Sequence, residues 1–213
     1  MDRIGKDELV ALILALASDM IAAKDELNTL DGAIGDGDLG ITMTLGFKAI
    51  EQQIKGRPYA DLQAIFADCG AAFADNAAST FGALMATMFN RAGRVMKGKA
   101  AIGPEEGAEI LKAAVEGVAK RGGASLGDKT ILDALSPAAE ASERAALAGQ
   151  SLTACLEAVL NAARAGAEAT VQMRSKAGRA GWLGDRTVGA KDPGAAAFVL
   201  MLESAANFMM RGG

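Results

Sequence analysis

Leu9, Ile13, Leu16 and Met20 follow one another at steps of four, three and four. That is the spacing of one face of an α-helix. Leu62, Ile65, Phe66, Cys69 and Phe73 keep the same rhythm, as do Leu152, Cys155, Leu156, Val159 and Leu160, and later Phe198, Met201, Leu202 and Ala205. No stretch alternates apolar and polar residues as a half-buried strand requires. Pro58 suits a helix start, as do Pro137 (after Leu135-Ser136) and Pro193-Gly194. Gly103-Pro104-Glu105-Glu106 is a stronger start, because proline tolerates the first turn and acidic residues suit its positive end. The pattern predicts about eight helices, over residues 6–27, 40–55, 59–75, 82–96, 104–120, 130–147, 151–173 and 194–210. No internal repeat and no long linker divides them, so one all-α domain over residues 1–213 is expected.

Each apolar stripe needs a partner surface, so the helices are expected to pack as an antiparallel bundle. Four breaks are rich in glycine: 31–40, 76–82, 121–128 and 177–194. They follow the first, third, fifth and seventh expected helices. In an up-and-down arrangement such loops share one end, with plain connectors such as Gly56-Arg57-Pro58 and Gly149-Gln150 at the other.

Composition narrows the functions open to the chain. Alanine dominates and β-branched residues are sparse, which favours helix. The longest apolar run, residues 9–17, is far shorter than the roughly 20 residues of a membrane span. The N-terminal "MDRIGKDELV" lacks the pattern of a secretory leader, so a cytoplasmic protein without a membrane role is expected. The net charge of −4 with no block of like charges argues against a general nucleic-acid binder. Cys69 and Cys155 lie far apart among apolar neighbours and are expected to be reduced core thiols. The chain has no histidine, which excludes a Ser-His-Asp triad, a His-ligated zinc site and a phosphohistidine on this polypeptide.

The break "AIGDGDLGITM", residues 33–43, carries the densest chemistry. Gly35-x-Gly37-x-x-Gly40 has the spacing of a dinucleotide-binding fingerprint, but that motif needs a preceding strand and the preceding segment is helical. Asp36 and Asp38 would also meet a bare phosphate as like charges, at a cost of roughly 4 kcal/mol for 4 Å and an effective dielectric near 20. An EF-hand starting at Asp36 fails because its twelfth position is Phe47. Asp31, Asp36 and Asp38 instead suit Mg²⁺, which takes hard oxygen ligands and bridges carboxylates to phosphates. Gly40, Ile41 and Thr42 would then offer free N–H groups at a helix start as a phosphate cradle. Ser79-Thr80 precedes another helix and reads as either a phosphate site or an ordinary cap. In 121–138, Gly122-Gly123 allows close approach by a flat ligand and Ile131 offers an apolar contact to a base; a flexible connector is the plain alternative. Residues 174–198 gather Arg174, Lys176, Arg179, Arg186 and Lys191 beside Trp182, as either a binding loop or a solvated one.

Asn28-x-Leu30-Asp31 with Gly35-Asp36-Gly37-Asp38, then Gly127-Asp128-Lys129-Thr130 with Asp133-Ala134-Leu135, then Gly178-Arg179, Leu183-Gly184 and Asp192-Pro193-Gly194, resemble the nucleotide-binding L subunits of bacterial dihydroxyacetone kinases. The resemblance implies a closed barrel of eight amphipathic helices with ADP or ATP and two Mg²⁺ ions at one rim. It implies Asp31, Asp36 and Asp38 as metal ligands. It implies nucleotide contacts at Leu39, Gly40, Ile41, Thr42, Ser79, Thr80, Gly122, Ile131, Arg179, Asp192, Pro193 and Gly194. Its partners would be a substrate-binding K subunit, a phosphohistidine-bearing M-type phosphocarrier of the phosphotransferase system and, in some members, a transcriptional regulator. The sequence departs from the family in Leu39 (usually His), Thr42 (usually Asn) and Gly181 (usually Ser), which leaves open a small ketose or polyol other than dihydroxyacetone. Two other classes stay in play: a nucleotide sensor acting on a transcription factor without turnover, and a structural helical domain with a lipid-like cavity.

Overall fold

The computed structural model describes residues 2–178 and 180–212, and among them the helices are α1 (Lys6–Ala22), α2 (Lys24–Gly32), α3 (Leu39–Ile54), α4 (Leu62–Asn76), α5 (Thr80–Val95), α6 (Pro104–Gly122), α7 (Leu132–Leu147), α8 (Leu152–Ala169) and α9 (Pro193–Met210). Short 3₁₀ segments, Thr170–Gln172 and Ala180–Thr187, lie between α8 and α9. No strand occurs among the described residues; Ile4 and Ile102 form an isolated bridge with both backbone bonds made.

Helices adjacent in sequence pack side by side, from α3 through α9, and α9 returns to α1, which in turn packs on α3. The ring is therefore closed, and α1 with α2 makes up one of its eight staves. Two apolar clusters fill it. One draws on α1 to α5 and α9, around Phe47, Phe73 and Met43; the other on α5 to α9, around Leu135, Ala163 and Phe198. Helix α9 is long and apolar enough by composition to cross a membrane, but half of it is buried here, against α1, α2, α7 and α8. Both cysteines are buried and unpaired, and burial pushes the Cys69 thiol up to about 12.

Several starts and ends differ from the sequence pattern. The expected helix 59–75 begins only at Leu62, where Asp61 rather than Pro58 caps it by accepting Ala64 N–H (2.8 Å). The expected helix 6–27 is two helices, broken at Ala23 (ψ 4°), and the second runs on to Gly32. The break turns α2 onto α3 and α9 and seats Leu27 fully in the core. The expected helix 151–173 stops at Ala169, because the buried Thr170 hydroxyl donates to Ala167 O and draws the chain into a tighter turn. Pro137 does not open a helix but sits in the second turn of α7. A proline there cannot donate to the carbonyl four residues back, so Asp133 O lacks its helical donor. Gly166 of α8 comes so close that a Cβ on it would lie 2.1 Å from that oxygen. The kinking residue and the small residue opposite are thus one packing solution.

Candidate functional site

Up-and-down connectivity puts four loops at one rim, and there they enclose a cavity of about 350 Å³. Its wall includes Asp31, Asp36, Asp38, Leu39 and Thr42 from the first loop and Ser79 and Thr80 from the second. The third supplies Gly122, Ala124 and residues 129–132; the fourth supplies Ser175, Ala177, Gly178, Ala180 and residues 192–194. Gly40 and Ile41 do not line it: Gly40 is buried and the Ile41 side chain is exposed. Arg179 lies outside the described residues.

Asp31 sits in the last turn of α2, Asp38 just ahead of α3, and Asp36 in the turn between, where Gly37 has φ 75°. The turn brings one carboxylate oxygen from each aspartate within 4.8 Å of the others. Asp31 is held in place: its Oδ2 accepts the N–H groups of Asp38 (2.9 Å) and Leu39 (3.3 Å). Its other oxygen lies against Gly35, where a Cβ would come within 2.4 Å of it. Three carboxylates this close repel one another, and a hard divalent cation is the species that turns the repulsion into binding.

The free N–H cradle expected at 40–42 is not what the structure shows. Ile41 N–H donates to Asn28 Oδ1 (3.3 Å), because α2 packs tightly enough to cap α3 from the side, and Thr42 N–H makes the first ordinary helical bond, to Asp38 O (2.9 Å). A Cβ on Gly40 would meet Lys24 O at 2.0 Å. The Thr42 hydroxyl instead donates to Ser79 Oγ (3.2 Å), and Ser79 Oγ also accepts Gly82 N–H (3.0 Å), capping α5. With both acceptor positions of Ser79 used, its own proton is left to donate. Leu39 is buried in the core.

Phe81, Leu84, Val118, Ile131 and Leu132 give the wall its apolar part, beside the polar Thr130, Ser175 and Asp192. Loop 125–130 owes its shape to Asp133, which is buried and accepts Gly127 N–H on Oδ1 (2.6 Å) and Thr130 N–H on Oδ2 (2.7 Å). Lys129 is buried too, with φ 61°; its ammonium donates to the carbonyls of Met173 (3.1 Å), Ala190 (2.7 Å) and Thr187. Burial pulls its pKa down and the nearby Asp192 carboxylate acts in the opposite sense. Asp192 caps α9, accepting Ala195 N–H (2.7 Å), while its own N–H donates to Thr170 Oγ1 (2.9 Å). Burial pushes the Asp192 carboxyl up to about 7; Asp133 adds to the rise, and the Ala195 N–H and Lys129 oppose it.

The basic residues of 174–191 turn mostly to neighbouring acids. Arg174 pairs with Asp185, Lys176 with Asp128 and Lys191 with Glu168, while Trp182 is 92% exposed. Sequence reasoning assigned no role to Lys129, Thr130, Asp133 or Ser175. The first three stood in view in the Gly127–Asp133 motif; Ser175 gave no signal.

A family model described as the DAK2 domain matches residues 33–207. The chain is 30% identical over 191 residues to the ADP-binding subunit DhaL of the PEP-dependent dihydroxyacetone kinase of Escherichia coli, covering 89% of this chain and 91% of that one. It is 35% identical over 202 residues to a putative 3,4-dihydroxy-2-butanone kinase of tomato, covering 93% of this chain but 34% of the longer relative. The crystal structure of the Citrobacter freundii dihydroxyacetone kinase in complex with AMP-PNP and Mg²⁺ superposes with a TM-score of 0.75 at 25% identity, over 96% of this chain and 34% of that one.

Proposed function

The chain belongs to the DAK2 domain family, and from that premise we propose that it is, as a single domain, the nucleotide-binding subunit of a dihydroxyacetone-type kinase. It holds ADP or ATP through two Mg²⁺ ions on Asp31, Asp36 and Asp38. The phosphoryl group passes to dihydroxyacetone, or a related small ketose or polyol, carried by a partner K subunit. The observation that carries this reading is the meeting of three carboxylates within 4.8 Å on the wall of a cavity that Phe81, Leu84, Val118, Ile131 and Leu132 also line. Clustered charge and apolar side chains in one cavity match a polyphosphate joined to a flat base.

Magnesium bound there supplies charge neutralisation and a bridge between carboxylate and phosphate oxygens. The chain's own residues do the positioning. Asp31 is fixed by two backbone donors, the Ser79 proton is available to a phosphate oxygen, and the starts of α3, α5 and α9 direct the positive ends of their dipoles at it. In this reading Ile131 and Gly122 flank the base, Leu39, Thr42, Thr80 and 192–194 line the phosphate end, and the resemblance adds Arg179 to them. In the transfer a substrate hydroxyl oxygen bonds to the γ-phosphorus as the bridge to the β-phosphate breaks, its proton passing to a base on the K subunit that carries the substrate, and ADP stays in place. Such transfer needs alignment and charge neutralisation rather than a nucleophile on this chain, in keeping with its lack of histidine. A phosphohistidine-bearing M-type phosphocarrier then recharges the ADP, as the PEP-dependent name of the Escherichia coli relative suggests.

Calorimetric titration of ADP with and without Mg²⁺ tests the site. Asp36→Ala is expected to abolish the metal-dependent binding while the helical circular dichroism persists; unchanged affinity would remove the site. An assay with a K-type subunit and dihydroxyacetone tests the reaction. Nucleotide binding without transfer from any donor would favour a sensing subunit that acts on a transcriptional regulator.

A further inference from the structure

The segment between α8 and α9 forms one wall of the cavity, yet no described residue from 168 to 194 belongs to either apolar cluster. Its buried side chains include Ser175 and Thr187, both polar. Packing therefore does little to hold it, and the fastening is polar. Most of that fastening comes from the neighbouring loop. Lys129 is the one described non-glycine residue with positive φ and is 1% exposed. An ammonium has three protons, and those of Lys129 go to the three carbonyls of Met173, Thr187 and Ala190, all on this segment. None is left for a ligand. A second lysine works in the opposite direction from the exposed side: Lys176 Nζ donates to Gly127 O (3.0 Å) and approaches Asp128 Oδ1 (3.4 Å), and its backbone N–H donates to Asp128 O (3.0 Å).

We propose that Lys129, seconded by Lys176, is a positioning residue that holds residues 173–178 and 180–190 against the cavity and thereby sets how long a nucleoside diphosphate stays bound. The nucleotide part rests on the function proposed above. The buried ammonium gathers carbonyls from both ends of the segment, Met173 before it and Thr187 and Ala190 after it; Gly189 N–H to Val171 O (2.8 Å) and Ser175 N–H to Thr187 Oγ1 (2.9 Å) join the two ends to each other, and Lys129 ties the joined ends to the neighbouring loop. Lys176 then pins the part nearest the mouth. Removing the Lys129 charge leaves three carbonyls without that donor in a place where water does not replace it, and the segment must open to solvate them.

The experiment uses the full chain, with Lys129→Met, which nearly conserves volume, and the exposed Lys176→Met. Three quantities are read: release of labelled ADP in Mg²⁺ during a chase with unlabelled ADP, trypsin cleavage after Arg174 and Arg186 without nucleotide, and the thermal midpoint. For Lys129→Met, at a temperature where it and the wild type are fully folded, ADP release and cleavage are both expected to accelerate about tenfold, the equivalent of roughly 1.4 kcal/mol. For Lys176→Met both are expected to rise about threefold, roughly 0.6 kcal/mol. If Lys129→Met fails to fold, Lys176→Met decides. A Lys129→Met chain with a lower midpoint but wild-type release and cleavage would make Lys129 only a structural lysine and overturn the proposal, as would wild-type rates in both variants. A wild-type chain that binds no ADP would sink the proposed function instead, and the cleavage rates would still judge the fastening.

Discussion

Asp38→Asn separates repulsion within the acidic trio from the binding it makes possible. One Asp38 oxygen lies within 4.8 Å of an oxygen on each of Asp31 and Asp36. At that spacing two unit charges repel by about 0.9 kcal/mol in bulk water and about 3.5 kcal/mol at an effective dielectric of 20. Asp36 and Asp38 are exposed, so the lower value governs, and removing the Asp38 charge relieves about 2 kcal/mol over two pairs at low salt. Against this, Asp38 stands at the N-cap of α3, whose first turn has no acidic residue, and losing a negative charge there costs about 0.3–1 kcal/mol. Without cation the variant should therefore match the wild type or exceed its stability by about 1 kcal/mol, a margin that shrinks as salt is added. With Mg²⁺ and ADP the order should reverse. A ligand at a hundred times its Kd adds about 2.7 kcal/mol to the wild type, or about 5–10 °C in midpoint for a chain of this size. The variant has two carboxylates and a neutral amide, and should gain little. Thermal unfolding of both proteins, with and without Mg²⁺ and ADP, reads all the quantities. A variant less stable than the wild type in the absence of cation would refute the repulsion; a midpoint shift equal to the wild type's would refute the site.

Two further outcomes follow from other parts of the rim. In the nucleotide-free protein Asp192 titrates near 7, against 3.8 for an ordinary carboxyl, so between those values the folded chain holds a proton that the unfolded chain has lost. Its contribution to stability is then complete below about pH 4, declines as pH rises toward 7 by at most about 1.4 kcal/mol per unit, and is gone above. Chemical denaturation across that window should show Asp192→Asn with a flatter profile than the wild type, and identical profiles would disprove the shift. Gly40→Ala should destabilise and weaken Mg-dependent ADP binding, because its Cβ would strike Lys24 O at 2.0 Å and displace the helix that carries Asp31. Gly107→Ala in α6 meets nothing within 4 Å and should stabilise by about 0.5–1 kcal/mol through helix propensity alone; midpoints moving in the same direction would show that the close approach at Gly40 is not the cause.

What the sequence revealed of this fold was what neighbouring residues determine. The apolar period of Leu9 to Met20 or Leu62 to Phe73 is local, and it located the helices. The break at Ala23 was hidden because alanine is the best helix former; the turn there is set by where Leu27 must be buried. Pro137 looked like a helix start yet lies inside the expected helix 130–147, and the close packing of its turn against Gly166, twenty-nine positions away, leaves no local mark. The site divides the same way. Carboxylates at 31, 36 and 38 within a glycine-rich turn announce a shared ligand, since residue type and spacing both carry the signal. Lys129 announces nothing, because its acceptors are backbone carbonyls and any residue could supply them. Asn28, which caps Ile41 N–H across the α2–α3 turn, was visible only as part of the resemblance.

Parity alone cannot explain why one rim binds an anion. A ring of eight up-and-down staves brings four helix N-termini to each end, so both rims begin with the same positive dipole ends. The difference lies in what the chain has already placed beside them. At the rim without the cavity, α1 carries Asp7 and Glu8 in its first turn, and α6 carries Glu105 and Glu106, with Glu106 accepting Gly103 N–H. There Asp61 caps α4 and Ser151 caps α8. The first turns of α1 and α6 thus meet a dissolved phosphate with like charge. At the cavity rim α3, α5 and α9 have no acidic residue in their first turns; Ser79 and Asp192 cap α5 and α9, Asp31 accepts the Asp38 and Leu39 N–H groups, and the Asp133 carboxylate of α7 is committed to Gly127 and Thr130. The acidity is instead concentrated in three aspartates at the mouth, where it repels phosphate until a divalent cation arrives. Ligand binding at this rim is thereby made conditional on metal, which neither the dipoles nor the carboxylates would achieve alone.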